Sequence, residues 1–166
     1  MLFRSRVRIC ALCVISSWLG VRFIVCESTT VIGGVAKMST KEKIVLVTGA
    51  AKRLGRAIAI EMAKNGWDVA IHFGSSKEAA EQTVRDIEAC GRKGVALQAD
   101  LSDEAQAANL IDRCVKEIGV PMCLVNNASM FQYDVASSFS YSGLESHMRT
   151  NVAAPLILSR RSEEHT

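Results

Sequence analysis

From Lys43 to about residue 160, short unbroken apolar runs alternate with longer segments whose apolar residues recur every three or four positions. Ile44–Val47 is apolar throughout, the pattern of a strand buried on both faces of a parallel sheet. Leu54, Ala57, Ile58 and Met62 then recur at helical spacing, and Gly66 supplies a stop. Residues 69–73 predict a second strand. Ser75-Ser76-Lys77-Glu78 has the capping-box pattern and predicts a helix with Ala80, Val84 and Ile87 on one face. Residues 95–97 predict a third strand. Ser102 is the expected N-cap of a helix carrying the stripe Ala107, Leu110, Ile111, Cys114, Val115 and Ile118, which Gly119 and Pro121 end. Residues 122–125 predict a fourth strand. A last helix is expected over roughly 141–160, with Leu144, Met148 and Val152 in register and Pro155 kinking or ending it.

This alternation implies an α/β fold: a doubly wound, Rossmann-type parallel sheet of about four strands, incomplete on one side, with helices on both faces. The edge beyond the fourth strand and the last helix are expected to be exposed, which predicts aggregation of the isolated chain.

Composition narrows the class. At 166 residues the chain holds one sizeable core and not two ordinary domains, and 49% hydrophobic with 22% charged residues is globular. The net charge is +3, and Arg4, Arg6 and Arg8 supply much of it, so no nucleic-acid partner is expected. Six cysteines raise the question of disulfides, but Cys90, Cys114 and Cys123 sit in apolar-periodic segments as small hydrophobes. Cys10 and Cys13 have metal-ligand spacing, yet no second Cys/His pair follows, so no metal site is expected.

The ends read differently from the middle. In residues 1–37 the three arginines precede an apolar stretch over 9–21, and no acid appears before Glu27. That resembles a targeting segment, too short before Arg22 to be a membrane span. The favoured alternative is translation from Met38, which gives a cytoplasmic protein; the targeting reading implies organelle import or secretion. Residues 38–160 form the expected domain. Residues 161–166, Arg-Ser-Glu-Glu-His-Thr, reverse-translate to AGA TCG GAA GAG CAC ACG, the start of a common sequencing-library adaptor. The expectation is a frame running from a truncated transcript into adaptor; the alternative is an ordinary polar tail.

The chemistry concentrates at Thr48-Gly49-Ala50-Ala51-Lys52-Arg53-Leu54-Gly55, between the first strand and first helix. Glycines there let the backbone turn and approach a pyrophosphate, whose charge the helix N-terminus stabilises. The stretch resembles the T-G-x-x-x-G-x-G turn of the short-chain dehydrogenase/reductase family, with Arg53 at the middle glycine, a variant similar to that of pteridine reductases. Asp100-Leu101 resembles the pair that contacts adenine. Asn126-Asn127-Ala128-Ser129 resembles N-N-A-G, and Asn151 matches the catalytic asparagine. Strand order independently places Gly49, Asp100 and Asn127 along one carboxyl edge, where such sheets bind ligands.

An NAD-selective site puts a carboxylate after the second strand, but here no acid precedes Glu78. Ser75 and Ser76, with Lys52, Arg53 or Lys77, suit a 2′-phosphate, so NADPH is the expected cofactor. The resemblance implies cofactor contacts from Gly49, Lys52, Arg53, Leu54, Gly55, Asp100, Leu101, Asn127, Ala128 and Ser129. It also implies pterin-type substrate contacts from Arg53 and Ser129, with Phe131 stacking on the flat ring. Tyr133-Asp134 and the serines up to Ser142 have the composition of a mobile active-site loop.

Family chemistry needs a Tyr-x-x-x-Lys pair. Ser137 lies four residues beyond Tyr133 and Glu145 four beyond Tyr141, so neither of the two tyrosines qualifies. The expected function is therefore a cofactor-binding fragment, itself inactive, of an NADPH-dependent reductase of pterin-type substrates, homo-oligomeric when complete. The alternatives are a 3-oxoacyl or other carbonyl reductase and a non-catalytic nucleotide-binding module.

Overall fold

The computed structural model describes residues 8–10, 43–133 and 135–165. The strands are β1 (Arg8–Cys10), β2 (Ile44–Val47), β3 (Asp68–Phe73), β4 (Gly94–Gln98) and β5 (Cys123–Val125). The helices are α1 (Arg53–Lys64), α2 (Lys77–Ala89), α3 (Glu104–Glu117), α4 (Tyr141–Met148) and α5 (Ala154–Glu164), with a π-helical turn at Arg149–Ala153 joining the last two. All pairings are parallel and the sheet order is β1-β5-β2-β3-β4.

The unbroken apolar runs are explained by burial on both sides. Val45, Val47, Val69 and Ile71 pack with Ala59, Ala63, Ala80 and Ile87 under α1 and α2. Their strand neighbours Leu46, Ala70 and Leu124 point the other way, toward Leu110, Ile111, Cys114 and Leu158 of α3 and α5. Alternate residues thus serve opposite cores, as a two-residue repeat requires. The doubly wound reading holds.

Several local expectations change. The edge at β5 is paired with β1, in the register Ile9↔Leu124, so a fifth strand joins the four expected. Residues 1–7 and 11–42, including Cys13 and most of the targeting pattern, lie outside the described residues. Along α1 the buried line is Gly55, Ala59 and Ala63, one position beyond the expected stripe; Leu54 is exposed, and Ile58 and Met62 are only partly buried. Side chains this close to the sheet must be small. The α3 N-cap is Asp103, not Ser102, because its carboxylate accepts the Gln106 N–H at 3.0 Å. Ser76 caps α2 by position but makes no side-chain cap bond, so no capping box forms.

Pro155 does not end the helical run, which continues to Glu164. Lacking an N–H, it sits in the first turn of α5, and the preceding turn widens so that Ala154 N–H reaches Arg149 O. Leu144, Met148 and Val152 are exposed, and Ala154, Leu158 and Ser162 are the buried face instead. α5 runs through residue 161 to Glu164, with Arg161 Nη2 donating to both carboxylate oxygens of Asp112 at 2.7 and 2.9 Å. Cys90 and Cys114 are free thiols, and burial pushes the Cys114 thiol up to about 12. No helix among the described residues is long and apolar enough to cross a membrane.

Candidate functional site

β2 and β5 are neighbours, while β3 and β4 continue the sheet on the far side of β2. The chain reverses direction across the sheet at that point, and the loops leaving β2 and β5 part to form a crevice. There they line an open cleft of about 1740 Å³, joined by the ends of β3 and β4 and by the start of α5.

Two side chains lock the crevice floor. Thr48, 1% exposed, donates its hydroxyl to Val125 O at 3.3 Å and accepts from Asn127 N–H at 2.9 Å and Ala128 N–H at 3.0 Å. Asn127 returns its amide to Thr48 O at 2.9 Å and Gly49 O at 3.2 Å. The turn after β2 and the turn after β5 are therefore one hydrogen-bonded unit. Its glycines are dictated by space. A Cβ on Gly49, at φ +63°, would lie 2.9 Å from the Ala128 Cα. One on Gly55 would sit 2.5 Å from Asn127 Nδ2 and closer still to Gly49 O.

Arg53 begins α1 at φ +53°, and among the described residues it is the non-glycine residue with a positive φ. Glycine would adopt this left-handed backbone without strain, so the turn imposes it on Arg53 whether or not the side chain favours it. Lys52 precedes it as N-cap with no side-chain cap bond, and the first turn of α1 carries no acid. The leading N–H groups of α1 are thus available to an anion.

The cleft gathers Gly49, Lys52, Arg53, Leu54 and Gly55 from the first turn and Ser75 from the end of β3. From the end of β4 come Asp100 and Leu101, and from the end of β5 Asn127, Ala128 and Ser129; Asn151 completes the set of expected residues. Two others fall outside. Ser76 belongs to the start of α2 and does not line the cleft. Phe131 is 81% exposed on an irregular segment and does not line it either. Asp134 lies outside the described residues. Asn151 binds the Met130 backbone from both ends of its amide, accepting from N–H at 2.7 Å and donating to C=O at 2.9 Å, which fixes the segment after Ser129.

Electrostatically the wall carries Lys52, Arg53 and Arg113 against Asp100. Ser102 donates side-chain and backbone hydrogen bonds to Asp100, holding its carboxyl below the usual range and hence ionised. The balance is positive, as an anionic ligand requires.

The family model for short chain dehydrogenases matches residues 43–165. The chain belongs to that family. The short-chain dehydrogenase fold explains why two glycine-tight loops meet at the switch point, and solved relatives share it. A short chain dehydrogenase of Burkholderia cenocepacia, in complex with NADP, is 36% identical with a TM-score of 0.72, covering 74% of this chain and 50% of that one. The FolM alternative dihydrofolate reductase 1 of Brucella canis, complexed with NADP, is 32% identical with a TM-score of 0.69 over 74% and 50% of the two chains. A 3-oxoacyl-[acyl-carrier-protein] reductase of Staphylococcus aureus is 40% identical over 88 residues, 53% of this chain and 36% of the relative. The chain spans about half the length of the curated relatives it matches.

Sequence reasoning missed His72, Gln98, Gln106 and Arg113, which also line the cleft, and named Asn126 only as part of the motif after the fourth strand. Gln98 and Asn126 follow from strand-end position. His72 was legible only as one more residue of a buried strand.

Proposed function

We propose that this chain is the nucleotide-binding half of an NADPH-dependent short-chain oxidoreductase. The observation that carries the reading is the phosphate turn: an uncapped helix start, glycines at Gly49 and Gly55 where a Cβ would collide, and the cations Lys52 and Arg53 at one mouth. These features fit a dinucleotide. The turn and the α1 N–H groups would hold the pyrophosphate. Asp100 and Leu101 would line the adenine end. Ser75, with Lys52 or Arg53, would take the 2′-phosphate, since no carboxylate stands at the end of β3. Asn127, Ala128 and Ser129 would line the nicotinamide end, and Asn151 would act by fixing the Met130 backbone. When bound, the cofactor supplies hydride to a substrate carbon.

For the substrate we favour a pterin-type ring approached by Arg53 and Ser129, a preference supported by Arg53 in the turn and by the likeness to a dihydrofolate reductase. The second reading, a 3-oxoacyl or other carbonyl reductase, is supported by the 40% identity to such an enzyme. In either case the complete enzyme needs a tyrosine and lysine that neither Tyr133 nor Tyr141 provides. It would act in the cytoplasm on a small molecule and self-associate through the exposed Leu144, Met148 and Val152.

Titrating the 166-residue chain with NADPH and with NADH, followed by nucleotide fluorescence, tests the cofactor assignment. Tighter binding of NADPH is expected, and tighter binding of NADH overturns it. Assaying a protein extended through the Tyr-x-x-x-Lys pair with dihydropterin and with an acetoacetyl thioester separates the substrate readings.

A further inference from the structure

His72, 3% exposed at the penultimate position of β3, is tied to the phosphate turn by its ring and its backbone. Gly49 N–H donates to its Nδ1 at 3.2 Å, and Ala50 N–H donates to its carbonyl at 2.9 Å. On the other side of the ring, Nε2 lies 3.0 Å from Ala99 O, next to Asp100. A carbonyl can only accept and an amide N–H can only donate. The ring is therefore the neutral Nε2–H tautomer, and no other state satisfies both neighbours. Two successive amides of the turn thus depend on one residue, which also sets the distance from that turn to the end of β4.

We propose that His72 is a positioning residue for dinucleotide binding, holding the phosphate turn in register with the adenine end of the cleft in its neutral form alone. The inference rests on the nucleotide reading above. Protonating Nδ1 would aim two N–H groups at each other and release Gly49, loosening the turn that would hold the pyrophosphate. Burial already disfavours that proton. Arg113 on α3 opposes it, while the Ala99 carbonyl and the Asp100 carboxylate favour it. Lys52 and Arg53, lining the same cleft, add positive charge on the turn side.

The test uses the 166-residue chain, NADP⁺ as the acid-stable probe, and the variants His72→Phe and His72→Asn. Asparagine can place its Oδ1 where Nδ1 was and keep the Gly49 bond; phenylalanine keeps volume but no acceptor. At pH 7.5 the phenylalanine variant should bind about tenfold more weakly, the loss of roughly one well-placed hydrogen bond. The asparagine variant should recover to within about threefold of wild type. Lowering the pH toward 5 should weaken wild type more than His72→Asn; the titration of the 2′-phosphate is common to both and cancels. Nitrogen-15 spectra of the free protein should show the Nε2–H tautomer and a shift of the Gly49 amide as the ring protonates, and amide exchange at Gly49 and Ala50 should accelerate in His72→Phe. Equal NADP⁺ affinity in wild type and a folded His72→Phe, or a ring protonated at Nδ1 near neutrality, overturns the proposal. Wild type that binds no NADP⁺ defeats the nucleotide reading instead, and the tautomer and the exchange at Gly49 and Ala50 still decide whether His72 holds the turn.

Discussion

Replacing Arg53 by glycine should stabilise the fold while weakening its hold on an anion, two effects that ordinarily travel together in a binding loop. Arg53 sits at φ +53° with its side chain exposed. A left-handed L-residue costs about 1–2 kcal/mol. Glycine removes that cost but adds freedom to the unfolded chain worth about 0.4–1 kcal/mol. With mid-range values the net gain is about 0.8 kcal/mol, a rise in melting temperature of roughly 2–4 °C for a domain of this size. Arg53→Ala is the control: it keeps a Cβ in the strained conformation and removes the same guanidinium. Its melting temperature should stay close to that of wild type, because an exposed side chain away from packing changes stability by about 0.5 kcal/mol at most. Both variants should lose NADPH affinity by a similar factor, and that loss should shrink as salt rises. Calorimetry of the three proteins reads the first effect and nucleotide titration at two ionic strengths the second. If Arg53→Gly melts no higher than Arg53→Ala, the backbone at this position is not strained and the argument fails.

Thr48→Val removes the acceptor shared by two amides and should cost about 2–4 kcal/mol in urea unfolding, with Thr48→Ser recovering most of it. Gly55→Ala forces a methyl against Gly49 O and Asn127 and should destabilise by about 1–3 kcal/mol, with a parallel loss of nucleotide binding. Phe131→Ala should leave stability within about 0.5 kcal/mol and NADPH affinity unchanged, since the ring is 81% exposed and outside the cleft. A large loss would mean that the ring packs in solution. Burial holds His72 below its ordinary value of 6.5, so the unfolded chain takes up its proton first as pH falls. Stability from this residue is complete above about pH 6.5 and declines below it, by no more than roughly 1.4 kcal/mol per pH unit, until the folded value is reached. Urea unfolding between pH 7.5 and 5 should show that decline in wild type and a shallower one in His72→Asn.

The sequence alone determined four of the sheet's strands, β2 to β5, their order along the chain and the edge on which the glycine turn lies. Those properties follow from local chemistry: apolar runs of strand length, helical stripes such as that of α3, and glycines placed directly after a strand. Ala107, Leu110, Ile111 and Cys114 were read as a buried face and are one. Tertiary structure decided whatever depends on which surfaces meet. Leu144, Met148 and Val152 recur every four residues yet are exposed, whereas Ala154, Leu158 and Ser162, at the same spacing but with one large apolar side chain among them, are buried where α5 packs on α3. Arg53 could be seen as a substitution at a glycine position, but its left-handed backbone is imposed by the turn. Phe131 carried the right ring in the right motif, yet the path of the following segment leaves it outside the cleft. β1 pairs with β5 across more than 110 residues of chain, and three residues hold no periodicity from which to predict it. His72 shows the limit most clearly. Its strand was evident, but a ring bonding to amides and carbonyls from two other loops is created only when β2, β3 and β4 lie side by side.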